Sequence, residues 1–221
     1  MQPRLLPAVV LGFALLLTGC AKTPAVQPAP STTPAAESAS PSATPEPTPE
    51  SAGELVVGID GITYEHDGQT QDYPFESDGE YLLALVEELT GEPRQGVPIE
   101  GPYGSDWGTG YEWDEMSVIV HNEENTSVRV SSPTVGEVPI TTTEGLSVGS
   151  SRDEVVAAGG RDGWDEDQDG VADYMDLGEQ EVPGTQSLAR PGEVGILFVL
   201  VELDDDTVVE IQSPANDFSD I

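Results

Sequence analysis

The sequence contains very little cysteine and few basic residues. Cys20 is the only cysteine among 221 residues, which excludes an intramolecular disulfide. Lysine and arginine together number 7 against 42 aspartates and glutamates, giving a formal net charge of -35 at pH 7. Such a charge repels nucleic acid, so we expect no nucleic-acid partner and an attraction for cations and basic partners. Lys22 is the only lysine, so a Walker-type phosphate loop within the domain is excluded.

A short apolar segment follows the first basic residue. Arg4 precedes the run AVVLGFALLL, which leads into LTGC at residues 17–20. The run is too short for a membrane-spanning helix but has the length of a signal peptide. This pattern resembles a bacterial lipoprotein signal with LTGC as its lipobox. The resemblance implies that residues 1–19 are removed and that lipid on Cys20 anchors the chain to the extracytoplasmic face of the cell membrane. The alternative is a secreted protein with an isolated cysteine.

The segment after the signal predicts a tether. Residues 20–53 are dominated by proline, alanine, serine and threonine, with eight prolines and almost no residue suited to a core. Fully extended, at about 3.1 Å per residue, this segment reaches roughly 100 Å. The remaining residues, 54–221, are predicted to form one acidic globular domain held away from the membrane.

Two segments of the domain align without a gap. Residues 117–133 and 198–214 each show alternating apolar positions around a polar turn, which predicts a hairpin with one buried and one wet face. The matched positions are Val118, Val120, Thr126, Val128 and Val130 with Val199, Val201, Thr207, Val209 and Ile211.

A predicted helix precedes each hairpin. Ser77 and Glu80 have the spacing of a capping box before an apolar stripe that includes Tyr81, and Ser151 and Glu154 repeat it. The sequence therefore predicts an α+β fold. Two tandem strand-helix-hairpin repeats, about residues 54–133 and 134–221, form an antiparallel sheet with helices on one face. The second repeat is longer, and we expect an acidic loop at residues 164–176 to be its insertion.

The segment GLSVGSSRDEVVAAGG, residues 145–160, resembles the strand-to-helix turn of the repeats in beta-lactamase-inhibitor-like and SmpA/OmlA-like envelope proteins. The resemblance implies binding to proteins and no catalysis, and no contact residue carries over from those families. We therefore expect a module that binds a protein or a cell-wall component.

Two patterns leave a hydrolase of wall polymers or esters as the alternative. Residues 145–149 match G-x-S-x-G around Ser147, although both histidines precede this serine, so we expect an ordinary turn. The segment GPYGSDWGTGYEWDE, residues 101–115, includes Glu112 among several carboxylates. Its aromatic residues form either a core contact or a surface for sugar or protein, and they are Tyr103, Trp107, Tyr111 and Trp113.

The acidic loop reads WDEDQDGVADYMD, residues 164–176. Gly170 has the position of the sharp turn in an EF-hand loop, and the spacing also resembles thrombospondin type 3 loops. Counted from the first ligand, positions 1, 3, 5, 7, 9 and 12 are Asp165, Asp167, Asp169, Val171 (through its carbonyl), Asp173 and Asp176. Position 12 is not glutamate, so we expect calcium with a dissociation constant of about 0.1 to 1 mM. The alternative is a solvated acidic loop without an ion.

Overall fold

The computed structural model describes residues 53–101, 104–122 and 125–219, all within one compact unit. The predicted signal peptide, Cys20, the tether up to residue 52 and Tyr103 lie outside the described residues. The described residues form thirteen strands and two helices. In chain order these are β1 Glu54–Val57, β2 Gly61–His66, β3 Gln69–Pro74, α1 Glu80–Thr90, β4 Gly96–Glu100, β5 Asp106–Glu112, β6 Met116–His121, β7 Asn125–Val130, β8 Thr134–Val135, β9 Val138–Thr142, α2 Arg152–Ala157, β10 Arg161–Trp164, β11 Tyr174–Glu181, β12 Ile196–Asp204 and β13 Thr207–Asn216.

The strands form two sheets. The large sheet has eight antiparallel strands in the order β10-β11-β12-β13-β7-β6-β5-β4, and the small sheet has the order β3-β2-β1-β9-β8. The broad α+β prediction is confirmed, with strands predominating. The prediction of a single antiparallel sheet is wrong. The small sheet is separate because β1 pairs in parallel with β9, with Leu55 opposite Ile140, instead of joining the large sheet.

One apolar core joins the two sheets and both helices. Its fully buried members include Leu55 of the small sheet, Val118 of the large sheet, Leu83 of α1 and Val155 of α2. Residues on β1, β7 and β9 alternate between this core and the opposite side, as the pleat of a strand requires. None of the described helices is long and apolar enough to cross a membrane.

Both predicted hairpins are present, as β6–β7 and β12–β13, but the gap-free alignment fails within the second. In β12–β13, Glu202 pairs with Glu210 and Leu203 pairs with Val208, so Val209 is an extra residue in a β-bulge. Val208 is therefore the buried residue. The extra residue shifts the following residues of β13 to the opposite side of the sheet, which an alignment based on strict alternation does not predict.

The capping prediction is wrong for α1. The helix begins after Gly79, which is in the left-handed region at φ 71°, and no side chain caps it. The Ser77 hydroxyl instead donates to the Pro74 carbonyl oxygen at 2.7 Å, within the turn before the helix. Gly91 ends the helix as predicted, at φ 70°. Tyr81, placed in the apolar stripe by the sequence, is 81% exposed.

The capping prediction is confirmed for α2. The Ser151 side chain accepts from the Glu154 amide, and the Glu154 carboxylate accepts from the Ser151 amide at 2.7 Å. The Ser151 amide, and then the Ser151 hydroxyl at 2.8 Å, donate to the Glu154 carboxylate and lower its pKa. Arg152 ties the helix to the β12–β13 turn through Asp206, at 2.9 Å.

The acidic loop does not account for the extra length of the second half. Each helix is followed by four strands of the large sheet, β4–β7 after α1 and β10–β13 after α2. The acidic loop joins β10 to β11 in the second half. Residues 101–105 join the corresponding strands β4 and β5 in the first half. Most of the extra length lies in residues 182–195 between β11 and β12, where only residues 113–115 join β5 to β6.

Candidate functional site

The large sheet has a face that turns away from the core, here called the outer face. Val118 of β6 and Val128 of β7 point into the core. His121 and Ser127 have the opposite parity on these strands and therefore lie on the outer face. Gln212 of β13 pairs with Arg129 of β7 and extends this face. The side chains of His121, Ser127 and Gln212 are half-buried, so the face is partly sheltered from solvent.

A groove of about 780 Å³ lies on the outer face beside the turns of the small sheet. The small sheet is fixed there by two hydrogen bonds, from the Ser213 hydroxyl to the Gly58 carbonyl at 2.8 Å and from the Thr126 amide to the Phe75 carbonyl at 2.7 Å. The lining combines apolar and aromatic side chains with amides and carboxylates. The lining residues are Ile59, Asp60, Pro74, Phe75, Glu76, Asp106, Trp107, His121, Asn122, Asn125, Ser127, Leu197, Gln212, Pro214, Asn216, Phe218 and Ser219.

The groove is negatively charged. Asp60, Glu76 and Asp106 contribute carboxylates, and no lysine or arginine is among the described residues that line it. Burial lowers the pKa of His121, so its imidazole is neutral at pH 7 and does not offset these charges.

A smaller pocket continues the outer face from Gln212. It is lined also by Arg129, Tyr174, Leu200, Glu202 and Glu210. Glu202 and Glu210 stand directly opposite each other on β12 and β13. Burial, and then the neighbouring Glu210 charge, raises the pKa of Glu202. The single arginine here, Arg129, pairs with Glu210 at 3.9 Å, so the negative character of the groove extends along the face.

All five arginines in the described part of the chain are held in ion pairs with carboxylates of the same chain. The pairs are Arg94 with Glu80 and Glu87, Arg129 with Glu210, Arg152 with Asp206, Arg161 with Glu179, and Arg190 with Glu179, Glu193 and Asp217. The positive charges are thus already matched within the fold.

The aromatic segment is divided between surface and core. Trp107 lines the groove, whereas Trp113 is only 9% exposed and belongs to the core. The Trp113 indole nitrogen donates to the Glu92 carbonyl at 3.2 Å, which satisfies its polar atom. Tyr111 packs against the core. Of the three aromatic residues of this segment that the structure describes, only Trp107 lines the candidate site.

The acidic loop brings three of its predicted ligands together. One carboxylate oxygen from each of Asp165, Asp167 and Asp173 lies within 4.8 Å of the others, an arrangement that can hold a metal ion. These three residues are here called the aspartate triad. The Asp165 carboxylate accepts from the Gly170 amide at 2.9 Å, and Gly170 has φ 95°, so the predicted sharp turn is present. Oxygen ligands on such a turn suit a hard divalent cation.

The other predicted ligands do not belong to the triad. The Asp169 carboxylate accepts from the amide of Val171 at 2.8 Å in a local turn. Asp176 lies on β11 opposite Arg161, where it is half-buried. Burial raises its pKa, and the charges of Arg161 and Arg190 oppose that rise. Its carboxylate thus interacts with arginines, because the loop ends before the twelfth position and a strand begins.

The candidate catalytic residues from the sequence are not assembled. Ser147 lies in the turn between β9 and α2, and neither histidine contacts it among the described residues: His66 pairs with Asp67 and His121 with Ser127. The contact between His121 Nε2 and Ser127 Oγ is 3.1 Å long and lies in the groove. The two residues approach through the pairing of β6 with β7, so the predicted hairpin is the signal in the sequence that could have indicated this pair.

Comparisons of the chain with protein-family models, with curated proteins and with solved structures found no match. The resemblances to lipoprotein signals, envelope repeats and calcium loops therefore stay predictions from the sequence. The groove and the aspartate triad are the two features of the described residues that bear on function.

Proposed function

We propose that the chain is a membrane-anchored extracytoplasmic lipoprotein whose acidic domain binds a protein or a cell-wall component. The groove is the single observation that carries the binding role. It combines about 780 Å³ of volume with aromatic, amide and carboxylate side chains, the mixture typical of recognition sites. The lipid on Cys20 and the tether of residues 20–53 hold this groove away from the bilayer.

The tandem repeat is part of the same proposal. The strand order supports it, because each helix is followed by four antiparallel strands and the two sets meet where β7 pairs with β13. A repeat of this kind gives one wide sheet with a continuous outer face. The face is then wide enough for a macromolecular partner.

We also propose that the aspartate triad binds calcium and that the ion has a structural role. The convergence of Asp165, Asp167 and Asp173 supports the proposal, since three carboxylates within 4.8 Å repel one another without a cation. The ion stabilises the β10–β11 connection. We assign it no part in catalysis.

Site-specific photocross-linking on intact cells tests the binding role. A photoreactive amino acid at Gln212, inside the groove, should give a discrete cross-linked product. The matched control is Gln71 on β3, which is exposed and outside the groove. Equal labelling from both positions, or none from Gln212, would contradict binding in the groove.

Membrane attachment has a separate test. A Cys20→Ser variant should move from the membrane fraction to the soluble fraction, because stable anchoring needs the lipid chains. Unchanged membrane association of that variant would contradict lipid anchoring while leaving the groove proposal intact.

A hydrolase of esters or wall polymers is the second candidate, and the pair of His121 and Ser127 favours it. The neutral imidazole within 3.1 Å of a hydroxyl is the arrangement of a base beside a nucleophile. Turnover of p-nitrophenyl acetate or of labelled peptidoglycan, lost in Ser127→Ala and retained in Ser147→Ala, would support this candidate. Absence of turnover by the unaltered protein contradicts it.

A further inference from the structure

We propose that the partner bound by the groove is a polypeptide segment carrying lysine or arginine side chains between apolar ones. The inference rests on the proposed binding role and specifies the chemistry of its ligand. Charge complementarity and the presence of both apolar and acidic side chains in one lining support it.

The charge of the groove selects a cationic ligand. Asp60, Glu76 and Asp106 line it without a neighbouring lysine or arginine among the described residues of its wall, and Glu202 lies in the adjoining pocket. An anionic polymer such as a teichoic acid would be repelled. A basic side chain would be attracted and would compensate carboxylates that the fold itself leaves without a cation, since the described arginines are already paired.

The apolar part of the groove selects a polypeptide over a small cation. Trp107, Pro214 and Phe218 are partly exposed and line the same space as the carboxylates. A metal ion or a polyamine would leave these surfaces in water, whereas apolar side chains of a peptide would bury them. Asparagine and glutamine side chains, such as Asn125 and Gln212, can pair with peptide groups of the ligand.

The test uses two defined peptides and the full domain. The first is a nine-residue peptide alternating lysine and leucine, blocked at both ends, and the second has glutamine in place of every lysine. Calorimetric titration should show the lysine peptide binding at least about tenfold more tightly than the glutamine peptide. Equal binding of the two peptides would overturn the proposal.

Matched variants distinguish an effect of the groove carboxylates on peptide binding from an effect of the overall negative charge of the protein. The double variant Asp60→Asn, Glu76→Gln should weaken binding of the lysine peptide roughly fivefold, because two charge pairs with exposed carboxylates of the groove are lost. The control Glu65→Gln, Asp67→Asn removes the same two charges from the exposed β2–β3 hairpin and should change binding by less than about twofold. An equal loss in both variants would show a non-specific field and overturn the proposal.

A second pair adds charge instead of removing it. Gln212→Lys places a cation in the groove and should abolish most binding, whereas Gln71→Lys on β3 should leave it nearly unchanged. Thermal melts identify any variant that has lost its fold. If cross-linking from Gln212 persists in the variant at Asp60 and Glu76, the proposal that the partner is basic is wrong while the binding role stands. If the unaltered protein gives no cross-link from Gln212, the binding role itself is wrong.

Discussion

Asp167→Asn should have opposite effects on stability with and without calcium. The three triad oxygens lie within 4.8 Å of one another, and two unit charges at that separation repel by about 0.9 kcal/mol in water. Physiological salt reduces the repulsion energy of each pair to roughly half. The three pairs together then repel by about 1.4 kcal/mol. The substitution removes two of the three pairs and keeps an oxygen that accepts from the Asp169 amide. In chelator the variant should therefore be more stable by about 1 kcal/mol.

Calcium should reverse that order. With a dissociation constant of about 0.1 to 1 mM, 10 mM calcium stabilises the unaltered protein by about 1.4 to 2.7 kcal/mol. Asp167→Asn should gain almost nothing, so its melting temperature in calcium should fall below that of the unaltered protein. The assay is thermal unfolding in calcium and in chelator.

Asp176→Asn is the control, because the sequence pattern predicts that Asp176 binds calcium and the structure places it outside the triad. Asp176 faces arginines and not the triad, so this variant should keep the calcium-dependent gain whatever its effect on basal stability. A gain retained by Asp167→Asn, or missing from the unaltered protein, would refute the calcium site. A gain lost in Asp176→Asn would restore Asp176 as a ligand.

The packing of the fold supports three further predictions. Leu83→Ala, at a buried position of α1, should lower the free energy of unfolding in urea by about 2 to 4 kcal/mol, and Tyr81→Ala, which alters an exposed side chain, by less than about 0.5 kcal/mol. Ser151→Ala removes the capping box of α2 and should lower stability by about 1 kcal/mol, read as a shift of the melting temperature. Burial lowers the pKa of His121, so its stabilising contribution is present above the pKa of an unfolded histidine and is lost as pH falls through the lower folded value. His121→Gln should therefore reduce the loss of stability between about pH 7 and 5 in urea titrations.

Local patterns of the sequence were good predictors where a few neighbouring residues determine the structure. The hairpins, the capping box at Ser151, the helix end at Gly91 and the turn at Gly170 all depend on contacts within a short segment. Ser77 shows the limit of that approach. It has the spacing of a cap, but its hydroxyl bonds to Pro74, because the chain enters α1 from the end of β3.

Features set by distant pairing were not predictable. The separate small sheet depends on the pairing of β1 with β9, and the groove depends on where its turns contact the large sheet. Only three of the six predicted calcium ligands form the triad, for the same reason. Asp165, Asp167 and Asp173 belong to one turn, while Asp176 is directed elsewhere by the pairing of β11 with β10.

The position of β13 determines when the large sheet can be completed during folding. β13 is the last strand of the described chain, yet it lies near the middle of the sheet between β12 and β7. Until residues 207–216 are available for pairing, two sets of strands end in unpaired edges at β7 and β12. A chain that stopped at residue 206 would keep both edges open and expose Val128 and Val201 beside them, so it would be prone to aggregation. The large sheet is therefore complete only after β13 has paired with both β12 and β7.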